Sequence, residues 1–271
     1  MFSKKRIGII GTGKMGEALI SGLTQSKLVD KTSLSASDVV SRRCDHISRT
    51  YGISCYTDNK RVVEVSDVVI IAVQPRDVKA VLEGIREKLT AKHLLISIAA
   101  GVSTGFLSKN LQKAVPTIRA MPNNPCMIGE GMIALAPMPN VSEENLQIAR
   151  EIFSSIGRVI VIDEGHFDAI TGLSASGPAY IYLVIEALSD GGVKVGIPKD
   201  VSIELAAQTV LGSARMVLET REHPAKLRDM VTTPGGTTIS GLMELEDRGI
   251  RVAFIRAVEK ATQRARELTK E

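Results

Sequence analysis

A glycine-rich segment near the start of the chain has the residue types and spacing of a phosphate-binding loop. Gly11, Gly13 and Gly16 form a G-x-G-x-x-G pattern directly after the apolar run 7–10. In such a loop the first glycine allows a tight turn, the second lets a pyrophosphate approach the backbone, and the third lets a helix pack closely on a sheet. The helix N-terminus behind the loop offers unpaired N–H groups to an anion. The segment predicts a dinucleotide site, with a purely structural glycine turn as the alternative.

The residues after the second predicted strand leave the choice of dinucleotide open. Asp38 lies about 20 residues after the glycine loop, where an acidic residue usually accepts hydrogen bonds from the adenosine ribose and so favours NAD. Ser41, Arg42 and Arg43 follow, and the two guanidinium groups could clamp the 2′-phosphate of NADP. The alternative is that the arginines form only the solvated start of a helix.

A second segment, residues 229–239, combines threonines with a Pro-Gly-Gly turn and leads into an amphipathic stretch. The glycines can expose backbone N–H groups in a concave nest, and the helix N-terminus that follows favours an anion. A small carboxylate could bind there while a threonine hydroxyl donates to a neighbouring polar atom. The alternative is an ordinary helix cap. Two anion-binding glycine segments in one chain are typical of a dehydrogenase or reductase of small acids.

Up to about Asp163, short apolar runs alternate with amphipathic stretches. The runs that predict strands are 6–10, 33–37, 67–73, 94–98, 117–121, 132–136 and 159–162. The stretches that predict helices are 14–25, a stretch ending near 51, 76–89 and 142–155. Strand and helix in alternation predict a mostly parallel sheet covered by helices.

Beyond Asp163 the sequence predicts helices only. They are 177–195, 201–219, a shorter one opened by residues 223 and 224, one that ends near 246, and 250–270. We therefore predict an α/β fold: an N-terminal Rossmann-type dinucleotide-binding domain, residues 1–163, followed by an all-helical C-terminal domain, residues 164–271. Small residues in the second domain suit a closely packed bundle, either within one chain or shared between subunits.

Composition excludes several classes of protein. Among the 271 residues, 44% are apolar and 24% are charged, as in ordinary globular proteins. We find no run of about 18 apolar residues, so no transmembrane helix is expected. A net charge of +4 with 3% aromatic residues does not favour nucleic-acid binding. Cys44, Cys55 and Cys126 fit a reducing cytoplasm better than a disulfide framework, and no Cys/His cluster predicts a metal site.

Taken together, the glycine loop and the segment DMVTTPGGTTISGLMELE at 229–246 resemble the pyrroline-5-carboxylate reductase family. Further similar segments follow in order: AVQP at 72–75, SIAAGV at 97–102, RAMPNNP at 119–125, GLSASGPAY at 172–180 and DGGVKVGIP at 190–198. The resemblance covers essentially the whole chain, and PGGTT is its most specific part. Gln74, Asn124 and Ala175 depart from the family's lysine, threonine and glycine. With Asp38, Gln74 leaves coenzyme preference open.

The resemblance implies reduction of the C=N bond of 1-pyrroline-5-carboxylate by NADPH, or NADH, to give L-proline, the last step of proline biosynthesis. It implies that the amides of Gly236 and Thr237 hold the carboxylate, and that Thr238 Oγ, the catalytic group, bonds the ring nitrogen. The implied substrate-binding residues are Thr233, Gly235, Gly236, Thr237, Thr238 and Ser176. The expected cofactor-binding residues are Gly11, Thr12, Gly13, Lys14, Met15, Gly16, Asp38, Ser41, Arg42, Arg43, Asn59, Ala72, Val73, Gln74, Pro75, Ala99 and Ala100. It also implies self-association through the helical domain, at least as a dimer.

Two other functions compete with this interpretation. A β-hydroxyacid dehydrogenase also joins a dinucleotide-binding domain to a helical one, and pairs a Gly-Gly segment with a Lys and an Asn one helical turn later. Lys194 follows Gly191 and Gly192, but Pro198 stands where that pair would end. A nucleotide-sensing regulatory protein without catalysis would explain the first glycine loop and leave PGGTT without a role.

Overall fold

The computed structural model describes residues 5–111 and 114–270, without the side chains of 269 and 270. The chain divides into two compact units. The first is Met1–Ala175 together with Ala261–Glu271, and the second is Ser176–Lys260. The domain boundary after residue 163 stays a prediction.

The first unit is built around an eight-stranded sheet. Its strands are β1 Ile7–Ile10, β2 Leu34–Ser37, β3 Ser54–Tyr56, β4 Val68–Ile71, β5 Leu94–Ser97, β6 Thr117–Met121, β7 Gly131–Pro137 and β8 Gly157–Val161. Their spatial order is β3-β2-β1-β4-β5-β6-β7-β8, and neighbours are parallel except β6 and β7. The strand order reverses between β1 and β4, so their carboxyl ends form the topological switch point where such sheets bind ligands. The predicted fold class is confirmed.

Helices cover both faces of this sheet. They are α1 Lys14–Gln25, α2 Ser41–Tyr51, α3 Asn59–Glu64, α4 Val78–Ile85, α5 Thr104–Leu111, α6 Glu143–Ser154 and α7 Phe167–Ile170. Ile7 and Ile9 belong to a buried cluster that includes residues of α1 and α6, whereas Ile10 belongs to a cluster that includes residues of α3, α4 and α5. Successive side chains of a strand thus bury opposite faces of the sheet, as expected for parallel strands between helical layers.

The sequence does not predict four elements of this unit: β3, α3, α5 and α7. They have only 3, 6, 8 and 4 residues, so their apolar periodicity is too short to stand out. The predicted helix 76–89 also differs from the structure. Pro75–Asp77 forms a 3-10 turn, and α4 ends at Ile85.

The second unit is helical. Its elements are α8 Gly177–Lys194, α9 Lys199–Thr220, α10 Pro224–Met230, α11 Thr237–Asp247 and the first part of α12 Ile250–Lys270. A Cβ at Gly192 of α8 would lie 2.1 Å from Ser202 Oγ of α9. Ser202 Oγ donates to the Ser189 carbonyl at 2.7 Å. Small residues therefore allow α8 and α9 to approach closely.

This second unit buries few of its own apolar side chains. Ala206 is the only buried hydrophobic residue within 176–260, a range that the structure describes in full. By length and composition alone α9 could cross a membrane, contrary to the expectation from sequence. However, Glu204 and Arg215 of α9 would then lie in the apolar layer at a high free-energy cost. Exposed apolar surface of this extent marks an interaction surface.

Candidate coenzyme and substrate sites

The glycine loop joins β1 to α1 at the switch point. Gly11 has a φ of +97°, and a Cβ there would lie 2.7 Å from the Ala72 carbonyl oxygen. A Cβ at Gly16 would lie 2.1 Å from the Gly11 carbonyl oxygen, whereas one at Gly13 would meet nothing within 4 Å. Gly13 is the N-cap of α1, and no side chain caps this helix. The open space at Gly13 and the uncapped helix N-terminus fit a bound pyrophosphate.

Asp38 fixes this loop to the end of β2. Its Oδ2 accepts hydrogen bonds from the Thr12 backbone N–H at 2.9 Å and the Thr12 hydroxyl at 2.8 Å. Its Oδ1 accepts from the Val40 N–H at 3.0 Å. The Gly11 N–H donates to the Ser37 carbonyl at 2.8 Å. Asp38 therefore orders the glycine loop, and its contact with a ribose stays a prediction.

The two predicted arginines of α2 differ in their surroundings. Arg43 Nη2 donates to Glu17 Oε2 at 2.7 Å and also to the Thr12 carbonyl. Arg42 is exposed. Both line a cavity of about 680 Å³, whose lining is Val40, Arg42, Arg43, Asp45, His46, Arg49 and Thr50. Arg42 is thus the guanidinium more available to a phosphate, while Arg43 anchors the loop.

A cavity of about 400 Å³ brings together Gly11, Asp38, Asn59 and Val73, all predicted at the coenzyme site. Asn59 Oδ1 accepts from the Ser37 hydroxyl at 2.8 Å, which holds Asn59 at the carboxyl end of β2. The lining residues that the sequence analysis missed are Ile10, Val39, Asp77, Ala80 and Val81. Val39 is 83% exposed, and an apolar residue two positions after the end of β2 is the signal that could have found it.

Pro75 and Ala100 line a separate cavity of about 290 Å³ within the first unit. Arg119 of β6 also lines this cavity although only 4% of its side chain is exposed. Its Nη1 donates to Glu164 Oε1 at 3.0 Å, and its guanidinium lies 4.6 Å from the centroid of the Phe167 ring. Arg119 occurs in the RAMPNNP segment, but its partner Glu164 is 45 residues away. No local pattern in the sequence could reveal this pair.

Glu164 stays ionised in this environment. It accepts hydrogen bonds from the Thr104 backbone N–H at 2.7 Å, from the Thr104 hydroxyl and from Arg119. Burial alone would raise the pKa of Glu164, but the bonds from Thr104 and Arg119 outweigh burial and hold the pKa below the usual glutamate range. The pair therefore places a charged network beside the loops that follow β4 and β5.

The remaining predicted coenzyme residues lie at strand ends and helix starts. Lys14 and Met15 open α1, and Ser41 opens α2. Ala72 and Gln74 follow β4, with Gln74 exposed. Ala99 follows β5 and is 4% exposed. All predicted coenzyme residues belong to the first unit.

The Pro-Gly-Gly segment forms the turn before α11 in the second unit. Gly235 has a φ of +66°, and the Gly236 N–H donates to the Thr233 carbonyl at 3.1 Å. A Cβ at Gly236 would lie 2.3 Å from Thr233 Oγ1, so the Thr233 side chain would have to move to accept one. Gly236 is the N-cap of α11, and no side chain caps the helix. Thr237 and Thr238 are the first residues of α11, so their N–H groups are at the positive end of the helix.

Ser176, the other predicted substrate residue, opens the second unit. It is the N-cap of α8 and makes no side-chain capping bond. A π-helical turn, Thr171–Ala175, comes directly before it in the chain. Asn123 Nδ2 donates to the Ser174 carbonyl at 3.1 Å, which ties this turn to the segment after β6. Turns of this kind are frequent at functional sites.

A mostly parallel sheet with a G-x-G-x-x-G loop at its switch point defines a dinucleotide-binding protein of the Rossmann type. Family models agree with this class. Residues 6–101 match a model described as NADP oxidoreductase, coenzyme F420-dependent. Residues 164–268 match the model for pyrroline-5-carboxylate reductase dimerisation.

Individual relatives identify the family. The chain is 44% identical to a pyrroline-5-carboxylate reductase of Methanosarcina acetivorans, covering 98% of each chain. It is 42% identical to one of Glycine max, covering 97% of this chain and 96% of the relative. This chain belongs to the pyrroline-5-carboxylate reductase family, a family of NADP-dependent oxidoreductases. The resemblance inferred from sequence is confirmed.

Solved structures support the same family. A pyrroline-5-carboxylate reductase from Coxiella burnetii is 36% identical, with a TM-score of 0.93 over 97% of this chain and 98% of that chain. The Plasmodium falciparum enzyme, solved with NADP bound, is 31% identical, with a TM-score of 0.87 over 98% of this chain and 99% of that chain.

Proposed function

We propose that this chain reduces the C=N bond of 1-pyrroline-5-carboxylate, using NADPH, to give L-proline. The observation that carries the proposal is the 44% identity over 98% of both chains to a reductase of that name. The glycine loop supports it, because Gly13 leaves open space in front of an uncapped helix. When bound, the coenzyme supplies the hydride.

In this proposal the first unit holds the coenzyme. The α1 N-terminus and Gly13 receive the pyrophosphate, and Asp38 and Asn59 line the cavity for the adenosine. Arg42 faces the 2′-phosphate, since Arg43 is already bound to Glu17. The loops after β4 and β5, which contain Pro75 and Ala100, receive the nicotinamide end.

The second unit supplies the substrate groups. The N–H groups of Gly236 and Thr237 bind the carboxylate at the positive end of α11. Thr238 Oγ donates to the ring nitrogen and orients the ring, so that the carbon of the C=N bond lies about 3–3.5 Å from the hydride donor carbon. Protonation of the ring nitrogen makes the carbon of the C=N bond electrophilic, and Thr238 assists that proton transfer. This assignment needs no histidine.

Turnover assays test the proposed function directly. We expect oxidation of NADPH to depend on 1-pyrroline-5-carboxylate, with proline as product. No reduction of NADP⁺ or NAD⁺ by a 3-hydroxy acid is expected. A β-hydroxyacid dehydrogenase pairs a Lys with an Asn one helical turn later, but here α8 ends at Lys194 and Pro198 lies outside the helix. Turnover of the 3-hydroxy acid would support the β-hydroxyacid dehydrogenase, and coenzyme binding without any turnover would support a regulatory protein.

Thr238→Ala tests the substrate site. We expect kcat/KM for the imine to fall by about 10–100-fold, the loss expected for one or two good hydrogen bonds. Thr209→Ala is the matched control, because Thr209 lies outside the proposed substrate site and its Oγ1 donates to the Leu205 carbonyl within α9, at 2.7 Å. Unchanged kcat/KM in Thr238→Ala would remove this residue from the mechanism.

We further propose that the chain functions as an oligomer in the cytoplasm. The dimerisation model over residues 164–268 and the exposed apolar side chains of the second unit support self-association. The small number of cysteines supports a reducing compartment. We expect no nucleic acid or membrane as partner.

A further inference from the structure

The fold brings Cys44 and Cys55 together, although 11 residues separate them in the sequence. Cys44 lies in the first turns of α2, and Cys55 is the middle residue of β3. The Cys55 thiol donates to Cys44 Sγ with the two sulfur atoms 2.8 Å apart. Since a disulfide has an S–S length of about 2.05 Å, the sulfur atoms need to approach by only about 0.8 Å.

This thiol pair lies against the backbone that orders the coenzyme loop. Cys44 Sγ is 3.1 Å from the Tyr56 carbonyl oxygen and 3.6 Å from the Asp38 carbonyl oxygen. The Asp38 N–H donates to the same Tyr56 carbonyl at 3.1 Å. Asp38 in turn holds Thr12 of the glycine loop through its carboxylate. The thiols are therefore connected to the glycine loop through two successive contacts, that of Cys44 with Asp38 and that of Asp38 with Thr12.

The two thiols differ in their access to solvent. Cys44 is buried, with 6% of its surface exposed. Cys55 is partly exposed and lies on β3, one of the two edge strands of the sheet. Burial and the hydrogen bond to Cys44 raise the pKa of the Cys55 thiol. The reactive thiolate is scarce at neutral pH, so oxidation requires sustained exposure to an oxidant.

We propose that Cys44 and Cys55 are a modification site, at which a hydroperoxide forms an intramolecular disulfide that clamps α2 to β3 beside the coenzyme loop. The Cys55 thiolate attacks the peroxide and breaks its O–O bond, which leaves a sulfenic acid. The Cys44 sulfur then attacks the sulfenic sulfur, the S–S bond forms and water leaves. With hydrogen peroxide, two thiols and one peroxide give one disulfide and two waters: sulfur is oxidised and peroxide oxygen is reduced.

The clamp has an expected effect on coenzyme binding, and this part rests on the proposed function. Drawing the Cys44 sulfur onto Cys55 weakens its contacts with the Tyr56 and Asp38 carbonyls. The Asp38 segment then no longer holds the glycine loop in its original position. We expect KM for NADPH to rise about threefold with little change in kcat, because the proposed substrate groups lie in the other unit.

Mass spectrometry of the full chain tests the proposal. Reduced protein is incubated for hours with excess hydrogen peroxide, free thiols are blocked, and the protein is digested with trypsin without reduction. Trypsin cleaves after Arg49, so the disulfide would link two separate peptides. We expect this linked pair and a rise in Tm of about 5 °C, both reversed by dithiothreitol. Cys126→Ala should retain both signals, and Cys44→Ser and Cys55→Ser should lose both.

Several outcomes would overturn the proposal. Separate oxidation or blocking of the two thiols, or links only between chains, would exclude the intramolecular disulfide. A linked pair without a rise in Tm would exclude the clamp, and an unchanged KM in the linked protein would exclude the effect on the coenzyme. Detection of the linked peptides and measurement of Tm do not require enzyme activity. Failure of the proposed reductase function would be seen in the turnover assay, independently of the disulfide.

Discussion

At the scale of single residues, Arg42 and Arg43 are neighbours with different environments. Arg43 is engaged by Glu17 and by the Thr12 carbonyl, whereas Arg42 is exposed at the rim of a cavity. A guanidinium already bound to a carboxylate has fewer donors left for a phosphate. The two arginines should therefore make different contributions to coenzyme binding.

Single substitutions separate these contributions. Arg42→Ala should raise KM for NADPH about tenfold and leave KM for NADH nearly unchanged, because only NADPH has the 2′-phosphate. Arg43→Ala should raise KM for both coenzymes, because it releases the loop that both require. Steady-state kinetics with each coenzyme provides the measurement. Equal effects of Arg42→Ala on the two coenzymes would show that Arg42 does not contact the phosphate.

Glu164 gives a second test at this scale. Its side chain is 29% exposed and pairs with Arg119, whose side chain is 4% exposed. Glu164→Gln leaves the arginine charge buried without a carboxylate, which should cost about 2 kcal/mol of unfolding free energy at pH 7. Because the folded pKa of Glu164 is lowered, the stabilisation is present above the unfolded pKa, about 4.3, and is lost as pH falls through the folded value.

The measurement is thermal or urea unfolding of the wild type and Glu164→Gln across pH. The difference between them should be largest at neutral pH and shrink in acid, below about pH 4. A difference that stays constant from neutral to acidic pH would mean that the carboxylate charge contributes nothing. Lys88 and Glu64, an exposed ion pair, offer a control whose loss should matter little.

At the scale of elements, the packing of α1 on the sheet depends on Gly16. Gly16→Ala places a methyl group 2.1 Å from the Gly11 carbonyl oxygen, so α1 and the loop at Gly11 must move apart. We expect the unfolding free energy to fall by about 1–3 kcal/mol. Gly13→Ala is the matched control, since a Cβ there meets nothing within 4 Å.

Gly13→Ala should fold normally but bind the coenzyme more weakly. Its methyl group would occupy the space in front of the α1 N-terminus, so KM for NADPH should rise about tenfold or more while Tm stays near that of the wild type. Urea unfolding and steady-state kinetics on both variants provide the measurements. A normal KM in Gly13→Ala would place the pyrophosphate elsewhere.

Most elements of this fold follow from sequence alone, but a few short ones do not. α1, β6 and α12 have the bounds that periodicity and breakers predict. β3, with three residues, is stabilised by its parallel pairing with β2 rather than by its own pattern. The antiparallel direction of β7 is likewise a property of the assembled sheet.

At the scale of the whole molecule, the second unit has too little core to account for its apolar content. Ala206 is its one buried hydrophobic residue, over a range that is described completely, while Leu205 and Leu211 are 53% and 49% exposed. Covering such side chains by a second copy would remove this surface from water. We therefore expect at least a dimer at micromolar concentration.

Light scattering checks this expectation. Leu205→Lys should shift the population towards monomer, because a charge at an apolar interface is costly to bury. Phe106→Lys, at a side chain 39% exposed in the first unit, should leave the assembly unchanged. A monomeric wild type, or equal effects of the two variants, would contradict assembly through the second unit.

The sequence by itself determined the fold class, the glycine loop and the family. Glycine spacing and strand periodicity are local properties of the sequence. The tight turn at Gly11, the open backbone at Gly13 and the close helix packing at Gly16 could therefore be predicted from them. The residue types of the PGGTT segment likewise predict a helix N-terminus that can bind an anion.

Only the tertiary structure decided which distant side chains meet. It paired Arg43 with Glu17, Arg119 with Glu164 and Cys44 with Cys55. These partners lie 26, 45 and 11 residues apart. The physical reason is that such contacts arise when the sheet brings distant strand ends and helices to the same edge. The energies of these contacts depend on burial and on distance, and the amino-acid sequence alone gives neither quantity.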